Sequence, residues 1–182
     1  MAMSMLRAIL VLMPLTLFAQ KTVREVEKPT TPAADAKGLS PDVPDVVAVS
    51  SKLERVVVLR FRYMADLLDG IEQAVKREKI TNAVILSAAG SVRNYHLHSV
   101  SNRNFPSRNT YVQDKTSPAD IIPMNGYVLD GKVHAHMTLA NSQGAFGGHL
   151  ERETNVFTFA IVTLGVLPPE LDLKRADDKT WR

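Results

Sequence analysis

The hydrophobic residues of the chain follow two different periods, which together predict one helix within a largely β-stranded domain. Glu54–Phe61 is rich in β-branched residues, which is typical of a buried strand. Between Met64 and Lys79 the apolar residues recur at helical spacing and predict one amphipathic helix. Later apolar or alternating segments predict further extended stretches: Ala83–Ser87, Ser91–Val100, Ile121–Leu129, Lys132–Asn141, Ala145–Leu150 and Asn155–Val166. One helix ahead of a run of hairpins predicts an α+β fold with an antiparallel sheet.

Turn residues and polar segments separate these elements. Asp130-Gly131 is a strong signal for a hairpin turn between two of the strands. Asn102–Pro118 is polar and contains two prolines, so we predict a loop there. Pro168-Pro169 ends the last strand, and we expect the charged tail that follows it to be loose.

The first nineteen residues have the pattern of a secretory signal peptide. Met1–Arg7 carries one positive charge, and Ala8–Ala19 is an apolar run of twelve residues, shorter than the roughly 20 that a membrane-spanning helix needs. We expect cleavage after Ala19, no membrane span in the mature protein, and an exported product that is periplasmic or secreted. The alternatives are an uncleaved anchor, or a start codon beyond the signal region that would give a cytosolic product.

We therefore divide the chain into four regions. Residues 1–19 are the predicted signal peptide, 20–51 a disordered linker, 52–168 the folded domain and 169–182 a charged C-terminal tail. The linker contains four prolines and shows no apolar period before Val46, so it cannot bury enough surface to order itself.

The composition excludes several classes of site. The chain has no cysteine, which rules out disulfides, thiol nucleophiles and cysteine-bound zinc. Its formal net charge is only +3 and no run of lysine and arginine reaches the length of a nucleic-acid patch, so we expect no nucleic-acid partner. The sequence also lacks a phosphate loop, a dinucleotide-binding glycine motif and a serine nucleophile elbow.

Four of the five histidines form two pairs in which the members are two residues apart, His96 with His98 and His134 with His136. Because side chains alternate faces along a strand, the two members of each pair point to the same side. The opposite face of Lys132–Asn141 is apolar. We therefore expect His134 and His136 to face a pocket or an interface, and not the main core.

Whether His149 joins the second pair depends on the turn between their two strands. A two-residue turn at Gln143-Gly144 sets His149 opposite Thr138, and a four-residue turn over Asn141–Gly144 sets it opposite His136; both put it on the same face as the pair. A three-residue turn would put it on the other face, unless a bulge at Gly147-Gly148 corrects the register. These glycines also suit a close approach of two strands.

Three neutral imidazoles with an open fourth position are the arrangement of a catalytic zinc site. We predict that His134, His136 and His149 bind one divalent metal, zinc before other first-row ions. The alternative is that they only form hydrogen bonds or line an interface. His96 and His98 could supply a second ligand set, extend the same pocket or lie at the surface. Three further residues are candidates for a substrate clamp or proton transfer, or else for surface ion pairs: Arg60, Arg103 and Glu151.

An ordered set of segments across Lys52–Leu167 resembles the plant and prokaryote conserved (PPC) domain. The segments are RVVVLRF at 55–61, DLLDGI at 66–71, ITNAVILSAAGSV at 80–92, MNGYVL at 124–129, HAHMTL at 134–139, GGHL at 147–150 and FTFAIVTLGVL at 157–167. The resemblance implies a strongly bent antiparallel sheet and a homotrimer. The fold is also similar to that of acetolactate decarboxylase, whose zinc is held by a His-x-His pair and a later histidine, a pattern that His134, His136 and His149 match.

Two functions follow from these observations. One is a divalent-metal site in a small-molecule pocket of an exported trimer, which could be an enzyme acting on a small carboxylate or carbonyl compound with the metal as Lewis acid. The other is a non-catalytic trimeric binding module, including the DNA-binding role that the family label suggests. Plant members of the family carry AT-hooks beside the domain, and no Arg-Gly-Arg-Pro hook occurs in this sequence.

Overall fold

The computed structural model describes residues 21–27, 38, 40–178 and 181–182. The predicted signal peptide and residues 20, 28–37 and 39 of the predicted linker lie outside these residues. The helix α1 spans Leu67–Arg77, and among the described residues there is no helix with the length and apolar character to span a membrane. The strands are β1 (Thr22–Glu27), β2 (Arg55–Phe61), β3 (Asn82–Val92), β4 (Tyr95–Val100), β5 (Arg108–Asp114), β6 (Ala119–Leu129), β7 (Lys132–Asn141), β8 (Gly144–Leu150) and β9 (Val156–Leu167).

These nine strands form one sheet in the order β1-β5-β4-β8-β7-β6-β3-β9-β2. Every pairing of neighbouring strands in it is antiparallel. The predicted α+β fold with a dominant antiparallel sheet is therefore confirmed. Bulges interrupt the register of β3 and of β6, and a bulge bends the strand that carries it.

The hydrophobic core lies between α1 and one face of the sheet. Leu67 of α1 and Leu164 of β9 are completely buried there. The Asp66 side chain accepts a hydrogen bond from the Asp69 backbone N–H at 2.9 Å, which caps the first turn of the helix. This cap explains why α1 begins at Leu67, three residues later than the apolar period starting at Met64 predicts.

The outer face of the sheet is divided into an apolar half and a histidine half. The strand register puts Val56 of β2, Tyr127 of β6 and His134 of β7 on this same face. The histidine half lies on β7, β8 and β4. The apolar half lies on β2, β9, β3 and β6 and consists of exposed apolar side chains: Val56, Val58, Leu86, Tyr127, Phe157, Phe159 and Ile161.

Two strands lie where the sequence predicts none. Asn102–Pro118, predicted to be a loop, contains β5, and the predicted linker contains β1 at Thr22–Glu27. β5 pairs with β4 on one side and with β1 on the other. Because its backbone hydrogen bonds are supplied by two neighbours, β5 needs little apolar surface of its own, and only Tyr111 and Asp114 of this strand are buried.

The C-terminal tail packs against the domain, whereas the sequence predicts it to be loose. The side-chain amide of Asn82 on β3 is only 2% exposed. It donates to the carbonyl oxygens of Pro168 and Leu171, at 3.4 and 2.9 Å. At the other end of the tail, the backbone N–H of Ser40 donates to the Arg182 carbonyl oxygen at 2.9 Å. The tail is therefore held to the domain by specific polar contacts that its charged composition does not reveal.

Candidate metal centre

The turn between β7 and β8 puts His149 directly opposite His136. Asn141 pairs with Gly144, as expected for the four-residue turn, and this register pairs His136 with His149. On its other side, β8 pairs with β4 so that His149 also faces His98. His98, His149 and His136 therefore form a row across three adjacent strands.

The three predicted metal ligands lie close enough to share one ion. A ring nitrogen of each of His134, His136 and His149 lies within 4.8 Å of a ring nitrogen of the other two. The Nε2 atoms of His134 and His136 are 3.2 Å apart. The ring centroid of His149 lies 4.8 Å from that of His134 and 5.1 Å from that of His136. We refer to these three residues as the histidine cluster.

The spacing within the histidine cluster fits a tetrahedral metal ion. Two imidazole nitrogens that each lie about 2.0–2.1 Å from a tetrahedral zinc are roughly 3.3 Å apart, close to the 3.2 Å between the Nε2 atoms of His134 and His136. The rings of these two residues are stacked, at 14°. The His149 ring stands at 87° to that of His136.

Burial keeps two members of the cluster in the form that binds metal. Burial, followed by the charges of His98, His134 and His136, lowers the pKa of His149 to about 4, against a smaller raising effect of Asp177. Burial, followed by the charges of His134 and His98, also lowers the pKa of His136, against a smaller raising effect of Asp177. A metal binds the lone pair of a neutral imidazole. His136 and His149 are therefore both available as ligands at neutral pH.

A second set of possible ligands adjoins the cluster and shares one residue with it. Ligand atoms of His98, His149 and Glu151 also lie within 4.8 Å of one another. His98 Nδ1 is 2.7 Å from Glu151 Oε1, and the two side chains are only 17% and 23% exposed. We refer to these three residues as the second ligand set. Because His149 belongs to both sets, they compete for the same imidazole unless that ring bridges two ions.

The family model that matches the chain covers residues 48–168 and describes the Plants and Prokaryotes Conserved (PCC) domain. The chain belongs to the PCC domain family. The resemblance to the PPC domain, which is the same family, is thereby confirmed. The matched residues include the histidine cluster and the second ligand set, whereas β1 and the C-terminal tail lie outside them.

Solved structures of the same fold come from several microorganisms. A PPC protein from Pyrococcus horikoshii is 28% identical, with a TM-score of 0.56 over 69% of this chain and 87% of that one. A metal-containing protein from Archaeoglobus fulgidus is 23% identical, with a TM-score of 0.58 over 69% and 89%. A candidate DNA-binding protein from Ralstonia eutropha JMP134 is 23% identical, with a TM-score of 0.50 over 63% and 80%. No curated protein matches the chain.

The names of these neighbours bear on one expectation from the sequence. A second structure of similar fold, from Bacteroides thetaiotaomicron, is also described as a candidate DNA-binding protein, at 14% identity. At such low identity the likeness establishes the fold alone. The names nevertheless do not favour the expectation that this PCC protein has no nucleic-acid partner.

Two glycines of the PCC domain allow β8 to approach both of its neighbours beside the cluster. A Cβ atom on Gly147 would lie 2.4 Å from the Met137 carbonyl oxygen, and one on Gly148 would lie 2.4 Å from that of His98. The close strand approach predicted for these glycines is confirmed. They line a depression of about 180 Å³ that also includes Asn125 and His136.

The other predicted site residues are distributed unequally around the cluster. Glu151 and His98 border it, as described above, but His96 turns away and its Nδ1 donates to the Arg152 carbonyl oxygen at 3.0 Å. Arg60 is on β2, which is four strand spacings from β7, or roughly 19 Å. Arg60 therefore does not border the cluster along the sheet, and its role as a substrate clamp stays a prediction. Arg103 is exposed in the loop between β4 and β5.

Sequence reasoning misses one carboxylate at the metal centre. Asp177, in the tail beyond the PCC domain, has its Oδ2 atom 2.9 Å from His134 Nδ1. The local sequence does not separate Asp177 from Asp172 or Asp178. The contact arises because the tail folds back over the sheet, and no periodicity within the tail encodes it.

Proposed function

We propose that this PCC protein binds one divalent metal ion through His134, His136 and His149, with zinc as the preferred ion. The observation that supports this most strongly is the 3.2 Å separation of the His134 and His136 Nε2 atoms. The strand register, which aligns His149 with His136, adds a third donor. The protein of similar fold from Archaeoglobus fulgidus is described as metal-containing, so the proposal is consistent with what is known of this fold.

We further propose that the metal serves a small-molecule pocket whose ligand is a small carboxylate or carbonyl compound. An ion with three protein ligands keeps a position open and supplies Lewis acidity to an oxygen bound there. The depression of about 180 Å³ beside His136 suits a small compound. The Asn125 side chain lines this depression and offers both a donor and an acceptor to orient the compound. Whether a reaction follows binding is a separate question from metal binding.

A homotrimer is proposed as the assembly because the apolar half of the outer face is too exposed for an isolated chain. Val58 is 63% exposed and Phe159 is 40% exposed, and they belong to a patch that continues across neighbouring strands. Contiguous apolar surface of this kind marks an interaction site. The proposed number of three subunits comes from the family resemblance. The exposed apolar patch is the proposed contact surface between the subunits.

We also propose that the protein is exported, because the apolar run that ends at Ala19 has the pattern of a signal peptide. N-terminal sequencing of protein recovered from the native cell envelope tests it. A mature N-terminus at Gln20 is the expected result, and a retained Met1 would exclude cleavage.

The second candidate function is a non-catalytic trimeric binding module that includes DNA among its ligands. The observation in its favour is the description of two proteins of similar fold as candidate DNA-binding proteins. The two functions differ in what the histidine cluster does. A binding module retains its ligand when the cluster is replaced, whereas a metal-dependent pocket loses it.

Metal analysis of purified protein tests the leading proposal. We expect about one zinc per chain by mass spectrometry, and a content near background in His136→Ala. That variant should still fold, because His136 points away from the core. His96→Ala is the matched control: it removes an imidazole from the same domain outside the cluster, and it should retain the metal. Full metal retention in His136→Ala would refute the proposed site.

A further inference from the structure

The Asp177 carboxylate contacts the side of His134 that faces away from the other ligands. Asp177 Oδ2 lies 2.9 Å from His134 Nδ1. The opposite nitrogen of the same ring, Nε2, lies 3.2 Å from His136 Nε2. One nitrogen of His134 is thus engaged by a carboxylate while the other points into the histidine cluster.

This arrangement selects one tautomer of His134. A carboxylate accepts hydrogen bonds and does not donate them, so the hydrogen resides on His134 Nδ1 and the lone pair on Nε2. A lone pair on Nε2 is what a metal in the cluster requires. Carboxylates that hydrogen-bond the far nitrogen of a ligating histidine fix its tautomer and orientation and strengthen metal binding in other metalloproteins.

The tail that carries Asp177 is held in place by contacts that do not involve His134. Asn82 fixes its first residues through the carbonyl oxygens of Pro168 and Leu171. Further along, Ala176 lines a cavity together with Tyr127 of β6, and the ring of Tyr127 lies 5.7 Å from that of His134. The tail therefore crosses the sheet from β3 to β7 and delivers Asp177 to the outer side of the cluster.

We propose that Asp177 positions His134 for metal binding, so that the tail beyond the PCC domain completes the metal centre. The inference rests on the proposed metal site and adds a residue to it from outside the family domain. Asp177 is a positioning residue: it acts through His134 and does not contact the ion. The domain alone then holds the three ligands, but the tail sets the affinity of the site.

Zinc affinity of purified variants, measured by competition with a chelator, tests the proposal. Asp177→Ala should bind zinc 10- to 100-fold more weakly than wild type, on the order seen for other outer carboxylates. Asp177→Asn should lie between the two, because its amide oxygen can still accept the His134 hydrogen. Asp172→Ala is the control, since it removes the same charge from the same tail, where Asp172 accepts from the Lys174 backbone N–H and, among the described contacts, does not reach the cluster. Asp177 is half exposed, so its loss should leave the thermal unfolding of the metal-depleted protein unchanged.

A second measurement follows the tautomer itself. Nitrogen-15 spectra of chelator-treated protein should show His134 protonated on Nδ1 in wild type and in Asp172→Ala, and a mixture of tautomers in Asp177→Ala. Zinc affinity within twofold of wild type in Asp177→Ala, with the His134 tautomer unchanged, would overturn the inference while the metal site itself survives. If the wild-type protein binds no zinc, the proposed function and this inference both fail. The two failures are thus distinguishable.

Discussion

His98 and His149 face each other across β4 and β8, with their ring centroids 4.5 Å apart. On its other side His149 of β8 faces His136 of β7. This central position makes His149 the one imidazole on which both ligand sets depend. It also means that replacing single ligands can decide which set holds the metal.

Ligand replacements should separate the two sets. His149→Ala should lose the metal whichever set binds it, because the residue belongs to both. His134→Ala should lose most of the metal, since the histidine cluster is the proposed site. His98→Ala and Glu151→Gln should each retain about one ion per chain. Metal content by mass spectrometry measures all four, and the reverse pattern, with loss in His98→Ala and retention in His134→Ala, would assign the ion to the second ligand set.

The sequence predicts the strands best where one face is buried and the other is polar. In Lys132–Asn141 the alternation is complete, and the predicted bounds are those of β7. The turn at Asp130-Gly131 joins β6 to β7 as predicted, and both residues adopt positive φ angles, 51° and 73°. The same alternation predicts that His134 and His136 lie on one face, as they do. Local pattern therefore suffices for those parts of the site that lie on one strand.

Features that depend on contacts between distant segments could not be predicted from the sequence. The register that brings His149 to His136 was one of several possibilities, because turn length cannot be deduced from composition alone. β5 is polar and is stabilised by pairing with β4 and β1, so its residues show no period of their own. Asp177 reaches His134 through the fold of the tail after β9, where Asn82 of β3 donates to the Leu171 carbonyl oxygen.

The stability of the metal-depleted protein should fall as the pH drops from about 6.5 to about 4. The pKa of His149 is lowered by burial, and by the charges of His98, His134 and His136, to about 4, against 6.5 for the free side chain. Between these values the unfolded chain binds a proton that the folded chain does not, so acid favours unfolding. The loss is fully recovered above pH 6.5. A shift of this size corresponds to at most about 3 kcal/mol in the free energy of unfolding.

Denaturant titrations in the presence of a chelator at pH 7.5, 6 and 5 measure this effect. His149→Asn should show a flatter pH dependence over the same interval, whereas His96→Ala should show the wild-type slope. Comparison between variants is needed because Asp66 and Glu72, whose pKa values are raised by burial, titrate with the opposite sign. Equal slopes in wild type and His149→Asn would contradict the prediction.

A charge in the apolar half of the outer face should disrupt the assembly. Val58 on β2 is 63% exposed in the single chain, and an aspartate there would have to be desolvated in a subunit interface. We expect Val58→Asp to shift the protein from trimer to monomer in light scattering coupled to size exclusion. Val100→Asp is the matched control, because Val100 is 68% exposed but lies on β4, away from the apolar half. A trimer that survives Val58→Asp, or a monomeric wild type, would show that this face is not the interface.

Duplex DNA should bind the mature protein only non-specifically. Removing residues 1–19 removes one of the 22 basic side chains, which leaves 21 against 19 acidic ones. High affinity for DNA needs several cations that neutralise neighbouring phosphates. Proteins that make no base contacts typically bind DNA with dissociation constants of about 10⁻⁴ to 10⁻⁶ M at physiological salt. Fluorescence anisotropy with A·T-rich and G·C-rich duplexes should give equal, weak affinities that fall steeply as salt is added. Because neither duplex is a ligand of the metal site, His136→Ala should bind both as the wild type does. Selective, salt-resistant binding of one duplex would instead support the DNA-binding module, and with it the descriptions given to the proteins of similar fold.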